Sequence, residues 1–472
     1  MKRIAIIGGG ISGLSAAFTI EEKRRSGAPV DYVLFESSPR LGGVMVTDRV
    51  DGCLVEAGPD SFVTEKPWAA NLCRKIGLGD QLIGSNDSER KTYILTRGKL
   101  VVMPDGLMFM VPTKILPTVF SPLFSWRTKI RMAAEWFHPP HKASADESVA
   151  AMVERHYGPE MVDRLADPLL SGIYGGEASQ LSVRAALARF AEMEARHGSL
   201  GRAMLAARKK MAVAGNRPAP PLFTSLKEGM QQLTDALVAR LDANALKTSS
   251  LVQSLIRHDD DDGWIVLAGY QSDRFDAVIV ATPAQAAAAL LQSADENLSR
   301  ELGEIRYSSS VIVSLAYDET VRRSLPPGFG FLVPRNEGRR MLAATFVHNK
   351  FPHRAPENRA LVRCFFGGAR AEEILDSSED QILEIVRGEL RQIIALDADP
   401  LFARVYKWKS AMAQYSVGHL ERLQRIEALR QKLPGLALAG NGYKGIGVPD
   451  CVRSGTEAAG KILGEIGMWS AA

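Results

Sequence analysis

Long apolar runs are missing from this sequence of 472 residues. No stretch reaches the roughly 20 apolar residues that a membrane-spanning helix needs. The nearest approach, Leu100–Trp126, is broken by Pro104, Pro112, Pro117 and Pro122. Such a segment suits a membrane surface, a cover over an apolar pocket, or a buried structural role. Cysteine is scarce too: Cys53, Cys73, Cys364 and Cys451 are scattered without a C-x-x-C pair. That pattern excludes a disulfide frame and suits reduced thiols in a cytoplasm. Charge of one sign is lacking, since 58 basic and 54 acidic side chains leave a net +4, too balanced to predict a nucleic-acid partner. No metal site is expected. His138 and His141 flank two prolines that prevent a shared helical face, and Asp259–Asp262 reads as a solvated hairpin tip. The apolar run Ile4–Ile7 after Met1-Lys2-Arg3 is too short for a secretory leader, so a cytoplasmic protein is expected.

What is present is length, a soluble composition with 46% hydrophobic residues, and punctuated periodicity. A chain this long divides into two or three domains. Strand-like and helix-like pieces alternate at both ends, as if one domain were assembled from distant segments. The expected class is α/β: a Rossmann-like domain with a G-x-G-x-x-G loop, a mixed-sheet substrate domain and a helical subdomain. Residues 1–90, 221–300 and 406–472 are assigned to the first. Residues 91–220 are assigned to the helical part and 301–405 to the mixed sheet.

Lys2–Ile7 suits a buried parallel strand. Gly8-Gly9-Gly10-Ile11-Ser12-Gly13 follows and opens a helix. Gly8 permits the tight turn, Gly10 lets a diphosphate approach the backbone, and Gly13 lets the helix pack on the strand. The helix start presents free N–H groups to a phosphate. Asp31–Glu36 is a second strand ending in an acid, placed to bind a ribose hydroxyl and to disfavour a 2′-phosphate. This unit alone leaves NAD and FAD open. The continuation Glu36-Ser37-Ser38-Pro39-Arg40-Leu41-Gly42-Gly43 resembles the E-x-x-x-R-x-G-G extension of FAD-containing amine oxidases. The resemblance implies FAD, with Glu36, Ser37, Arg40, Gly42 and Gly43 continuing the cradle.

Near the other end, Leu436–Ala439 runs into a loop containing Gly440, Gly442, Gly445 and Gly447, and helix signals follow. A second glycine loop opening a helix can face an electron-rich ligand; a purely structural C-terminal helix is the competing account. By resemblance to the same superfamily, Gly440, Ile446, Gly447 and Val448 wall the isoalloxazine ring, and Val252 approaches the adenine.

Five blocks in order resemble the oxygen-dependent porphyrinogen oxidases of haem biosynthesis over essentially the whole chain. They are Val55–Phe62, Asp167–Gly176, Gly328–Pro334, Gln414–His419 after Trp408, and Gly440–Cys451. The resemblance implies FAD-dependent, oxygen-consuming oxidation of a porphyrinogen, with hydride passing to flavin and peroxide released. Both protoporphyrinogen IX and coproporphyrinogen III are expected substrates, with the former preferred. It adds Gly58, Pro59, Asp60, Ser61 and Trp408 to the cofactor set. It places Gly172, Ile173, Leu332, Phe346 and Phe365 along an apolar slot, where core packing competes as an explanation. Arg97 is the candidate for a propionate, through bidentate binding, with a solvated surface arginine as the bland alternative. Asp60 stands where some members carry an arginine, which weakens that position as a propionate contact. Arg335, Arg339, Arg340, Lys350, Arg354 and Lys444 are further candidates for the mouth.

Amine oxidases, carotenoid desaturases and a non-catalytic carrier of the GDP-dissociation-inhibitor type compete with this reading. None accounts for all five blocks. Peripheral membrane contact and a homodimer are the remaining expectations.

Overall fold

The computed structural model describes residues 1–108, 110–112, 114–141, 145–213, 220–258 and 263–468. Asp259–Asp262, the expected hairpin tip, lies outside them. From the N-terminus come β1 (Lys2–Ile7), α1 (Ile11–Arg25), β2 (Val30–Phe35), β3 (Thr92–Thr96) and β4 (Lys99–Val102). The helices α2 (Ile115–Phe120), α3 (Trp126–Ala134), α4 (Val149–Tyr157) and α5 (Asp167–Tyr174) follow. Then come β5 (Leu246–Lys247), β6 (Ala277–Val280), β7 (Tyr307–Tyr317), β8 (Gly330–Leu332), β9 (Ala343–Phe346) and β10 (Ala360–Gly367). The last are α6 (Glu379–Ile394), β11 (Phe402–Ala413), β12 (Leu436–Leu438) and α7 (Val448–Glu465), with further elements between them.

One sheet has the order β5-β2-β1-β6-β12 and is parallel throughout. Its strands read as continuous apolar runs because both faces are covered. Ile4, Ile6, Ile279 and Ala437 face a layer that includes α1 and α7. Ala5, Ile7, Val278 and Val280 face a second cluster around Trp264 and Leu291. The domain is thus built from pieces near residues 2, 30, 246, 277 and 436, as the alternation at both ends predicts.

The second sheet has seven strands in the order β11-β7-β10-β9-β8-β3-β4 and is mixed, with only β8 and β3 parallel. Two expected boundaries move here. β3 and β4, assigned on sequence to the helical part, pair with β8 and complete this sheet. β11 runs on to Ala413 along β7 and does not cross to the dinucleotide domain at residue 406. In both cases backbone pairing with a distant strand decides membership, which local periodicity does not report.

One face of this sheet packs on α6 through Val313, Val362, Cys364, Ile382, Val386 and Leu390. The other face carries Arg363 and Phe365, and Arg363 donates to the Gly58 carbonyl. α5 lies against β8 and β10. Its preceding helices form a separate core around Met152, Tyr157 and Leu165.

Candidate active site

The two N-terminal glycine turns are bound back to back. The Gly42 N–H donates to the Gly9 carbonyl at 2.8 Å, and a methyl group on Gly43 would stand 3.3 Å from the Gly10 Cα. Gly8 has φ +106, a conformation that suits glycine. A Cβ on Gly13 would sit 1.8 Å from the Gly8 carbonyl oxygen, so helix and strand touch there as the motif requires. A Cβ on Gly10 would meet nothing within 4 Å. That open side, at the N-cap of α1, is the face a diphosphate would use. Glu36 Oε2 accepts the Gly9 N–H at 2.7 Å and Oε1 accepts that of Ser38 at 2.8 Å, which fixes the carboxylate beside the loop. Ser37 Oγ joins the same oxygen. Arg40 turns inward and donates to the carbonyls of Leu41, Gly43 and Met45. It therefore shapes the Gly42-Gly43 turn.

The C-terminal loop lies beside this one. α7 packs on the first turn of α1 so closely that a Cβ on Gly455 would be 2.0 Å from the Ser12 carbonyl oxygen. Gly455 lies about two turns into α7, whose N-terminus is capped by Gly447. The dipole of each helix favours an anion at its own N-terminus. Gly440 has φ +129 and its N–H donates to Ser454 Oγ at 3.1 Å. Ile446 and Gly447 are half-buried and Val448 is buried. Val252 is buried in the layer next to Phe35 and Ile7, two residues after Ser250, whose N–H donates to the Glu36 carbonyl.

Between the sheets runs Ala57–Ser61, and its environment was not foreseen. Gly58 abuts Val44, with a Cβ there only 1.9 Å from the Val44 carbonyl oxygen. Trp408 Nε1 donates to the Ala57 carbonyl at 2.7 Å, and the Arg363 guanidinium donates to that of Gly58. Arg354 is fully buried; its Nη1 is 2.7 Å from Glu56 Oε1, and Nη2 reaches Ser225 Oγ and the Asp60 carbonyl. Lys350 Nζ lies 2.9 Å from Asp60 Oδ2 and 3.2 Å from Ser61 Oγ.

This buried set holds Lys350, Arg354 and Arg363 against two carboxylates, Glu56 and Asp60. Burial works against the charge on Asp60, but Lys350, Arg363 and Arg354 outweigh it and hold the carboxyl well below the usual range. Burial pushes the Glu56 carboxyl up despite Arg354. It also pulls the Lys350 ammonium and the Arg363 guanidinium down. Lys350 and Arg354, expected at the mouth, are instead consumed inside. The sequence did carry one signal: Arg363 interrupts an apolar strand, Leu361-Val362-Arg363-Cys364-Phe365-Phe366. A buried charge there requires partners.

The slot residues divide by face. Leu332 pairs with Ala343 and Ala343 with Phe365, so the three side chains form one row across β8, β9 and β10. Leu332 and Phe365 are half-buried, and the Arg363 guanidinium lies over the Phe365 ring at 4.8 Å. Gly172 and Ile173 on α5 are exposed, and a Cβ on Gly172 would touch Leu332 at 3.9 Å. Phe346 is the exception. It pairs with Val362, an odd number of positions from Ala343, so it projects to the α6 side. It is fully buried there with Phe331 at 6.2 Å, and it is core packing, not slot lining.

Arg97 also has a structural account. With φ 53 it forms, with Gly98, the two-residue turn between β3 and β4. Glu337 accepts both turn N–H groups, at 2.7 and 3.0 Å, and the arginine is exposed. Arg335 pairs with Asp167 and Glu177. Arg339 and Arg340 lie beside α6, at Gln392 and Glu389. Lys444 is exposed on the C-terminal glycine loop.

Comparison with known proteins accords with this geometry. A family model described as flavin containing amine oxidoreductase matches residues 11–463. A coproporphyrinogen III oxidase of Bacillus subtilis is 33% identical over 98% of each chain. Protoporphyrinogen oxidase 2 of Arabidopsis thaliana is 27% identical over 98% of this chain and 94% of its own. A crystal structure from Exiguobacterium sp. 255-15, provisionally named a protoporphyrinogen oxidase, superposes with a TM-score of 0.87 at 28% identity, covering 98% of this chain and 99% of its own. The chain belongs to the flavin-containing amine oxidoreductase family, and its cofactor is FAD.

Proposed function

We propose that the protein oxidises porphyrinogens to porphyrins in haem biosynthesis, using oxygen and releasing peroxide. Its preferred substrate is coproporphyrinogen III. The observation that supports the reaction is the apolar row Leu332, Ala343 and Phe365 facing Gly172 and Ile173. It is a wall suited to a large apolar macrocycle. The substrate preference rests on relatives that bear that name at 33% identity over 98% of this chain, and it reverses the preference read from sequence.

FAD, when bound, supplies the hydride acceptor. In this reading Gly8–Gly13 and Gly42-Gly43 hold the diphosphate, and Glu36 holds the ribose. Ile446, Gly447 and Val448 border the ring, with Gly58–Ser61 across from them. Asp60 acts through its backbone, because its carboxylate is engaged by Lys350. The apolar row excludes water and orients the macrocycle, while Lys444 and Arg97 are the cations left for propionates, since Arg335 is paired with Asp167 and Glu177. That short supply favours a second reading, preference for the two-propionate protoporphyrinogen IX.

Measuring kcat/KM under air for both porphyrinogens decides between them, through the fluorescence of the porphyrin product. A higher value for protoporphyrinogen IX overturns the preference. An FAD-loaded protein that turns over neither substrate overturns the reaction itself.

Among the described residues no helix is long and apolar enough to cross a membrane. α2, α3 and the turn after them nonetheless expose Leu116, Phe120, Trp126, Ile130 and Phe137 beside Lys114, Arg127 and Lys129. Apolar side chains ringed by cations support peripheral contact with an anionic lipid surface.

A further inference from the structure

Two consecutive residues at the end of β11 reach in opposite directions. Gln414 Nε2 donates to the Tyr174 carbonyl at 2.6 Å, at the C-terminus of α5, and to Ser308 Oγ at 2.9 Å. Its fit is tight, since a Cβ on Gly176 would stand 1.8 Å from Gln414 Oε1. Tyr415 turns the other way. Its hydroxyl accepts the Gly445 N–H at 2.7 Å and donates to the Asn441 carbonyl at 2.8 Å, so one oxygen closes the C-terminal glycine loop from both ends. The ring is buried and stacks on His419 at 4.2 Å, while His419 Nε2 lies 3.1 Å from the Tyr443 carbonyl of the same loop. Tyr415 also faces Tyr174 at 6.3 Å, and its carbonyl accepts the Ser182 N–H at 2.8 Å. Burial raises the phenol pKa far above neutrality, so the hydroxyl keeps its proton and both bonds.

We propose that Gln414 and Tyr415 are positioning residues that couple the substrate-side helix α5 to the cofactor-side loop Asn441–Gly447. Neither is assigned contact with a reacting atom. A single peptide bond joins the grip on α5, which carries Gly172 and Ile173, to the grip on the loop that carries Ile446 and Gly447. A displacement of either partner is passed to the other, because Tyr415 is buried and the half-buried Gln414 is held by Tyr174 and Ser308, so neither side chain can move without giving up its bonds. Macrocycle binding against α5 thereby sets the shape of the loop. The inference rests on the proposed reading that this loop borders the flavin.

The test uses FAD-loaded full-length protein and three variants, Tyr415→Phe, Gln414→Leu and the double variant, with Gly447→Ala as a probe of the loop. FAD Kd, the visible absorbance spectrum of the bound flavin and KM for the porphyrinogen are measured. Tyr415→Phe removes one oxygen atom and is expected to weaken FAD binding about tenfold, the effect of losing both hydrogen bonds that hold the loop. Gln414→Leu touches no loop residue, yet is expected to move the flavin spectrum as well as KM. The double variant is expected to fall short of the product of the single effects. Coupling is overturned if Gln414→Leu alters KM alone, Tyr415→Phe alters only the flavin, and the double variant multiplies the two. If Gln414→Leu does not fold, Gln414→Glu enters the same comparison. A silent Gly447→Ala removes the loop reading and the proposal with it. A spectrum moved by Gly447→Ala but by neither positioning variant removes the coupling alone.

Discussion

Arg354 places Nη1 2.7 Å from Glu56 Oε1, and the two side chains are 0% and 2% exposed. Removing one partner strands the other charge in a medium that cannot solvate it. Arg354→Met is expected to destabilise the protein by about 3–5 kcal/mol. Adding Glu56→Gln removes the stranded charge and is expected to return part of that loss. Chemical denaturation of the three proteins checks this; an Arg354→Met protein as stable as the parent would show the pair to be dispensable.

Phe346 and Phe365 lie on adjacent strands but on opposite faces, and they separate stability from binding. Phe346→Ala opens a cavity under α6 and is expected to cost about 3–5 kcal/mol, with KM changed less than about twofold. Phe365→Ala is expected to raise KM for the porphyrinogen with a smaller loss of stability, because its ring is already half-exposed. Steady-state kinetics beside thermal unfolding gives both readouts. A KM effect confined to Phe346→Ala would reverse the assignment of faces.

His348 is buried, and its Nδ1 accepts the Leu361 N–H at 3.1 Å. Burial pulls its pKa from 6.5 down to about 4. The unfolded chain therefore binds a proton that the folded chain refuses between those values. Stability is present in full above pH 6.5 and falls as pH drops toward about 4, by roughly 3 kcal/mol for this group. Asp60, held low by Lys350, Arg363 and Arg354, adds a loss in the same direction at still lower pH. His156 has the opposite sign. Burial opposes its charge, but Glu135 and Glu194 raise its pKa, so its contribution fades as pH rises. His348→Gln is expected to flatten the slope of unfolding free energy between pH 4 and 6.5 relative to the parent. An unchanged slope would mean that the folded ring takes up its proton normally.

The glycine loops were legible because their demands are local. Gly8, Gly10 and Gly13 are spaced by one strand-to-helix turn, and each requirement is met within a few residues of chain. Glu36 followed for the same reason, at the end of the next strand. The slot was only partly legible. Leu332, Phe346 and Phe365 look equivalent in sequence, and a strand register shared with Ala343 and Val362 sorts them. Lys350 and Arg354 resembled mouth cations because their partners, Asp60 and Glu56, are almost three hundred residues away. Glu337 bonds only the backbone N–H of Arg97, so the hairpin turn explains the residue's backbone and leaves its exposed guanidinium as a proposed propionate contact. Long-range pairing, invisible in one sequence, accounts for the changed places of Phe346, Lys350 and Arg354.

The parallel sheet has a consequence for synthesis. β1 leaves the ribosome well before its neighbour β6, which begins at Ala277, and before the edge strand β12, which begins at Leu436. The glycine loop therefore waits for about 270 residues of synthesis with one side of its strand unpaired. The nascent chain keeps an apolar edge, Ile4-Ala5-Ile6-Ile7, exposed to other chains throughout that interval. A chain cut short before Leu436 would carry β1 complete in sequence but with no finished sheet to join.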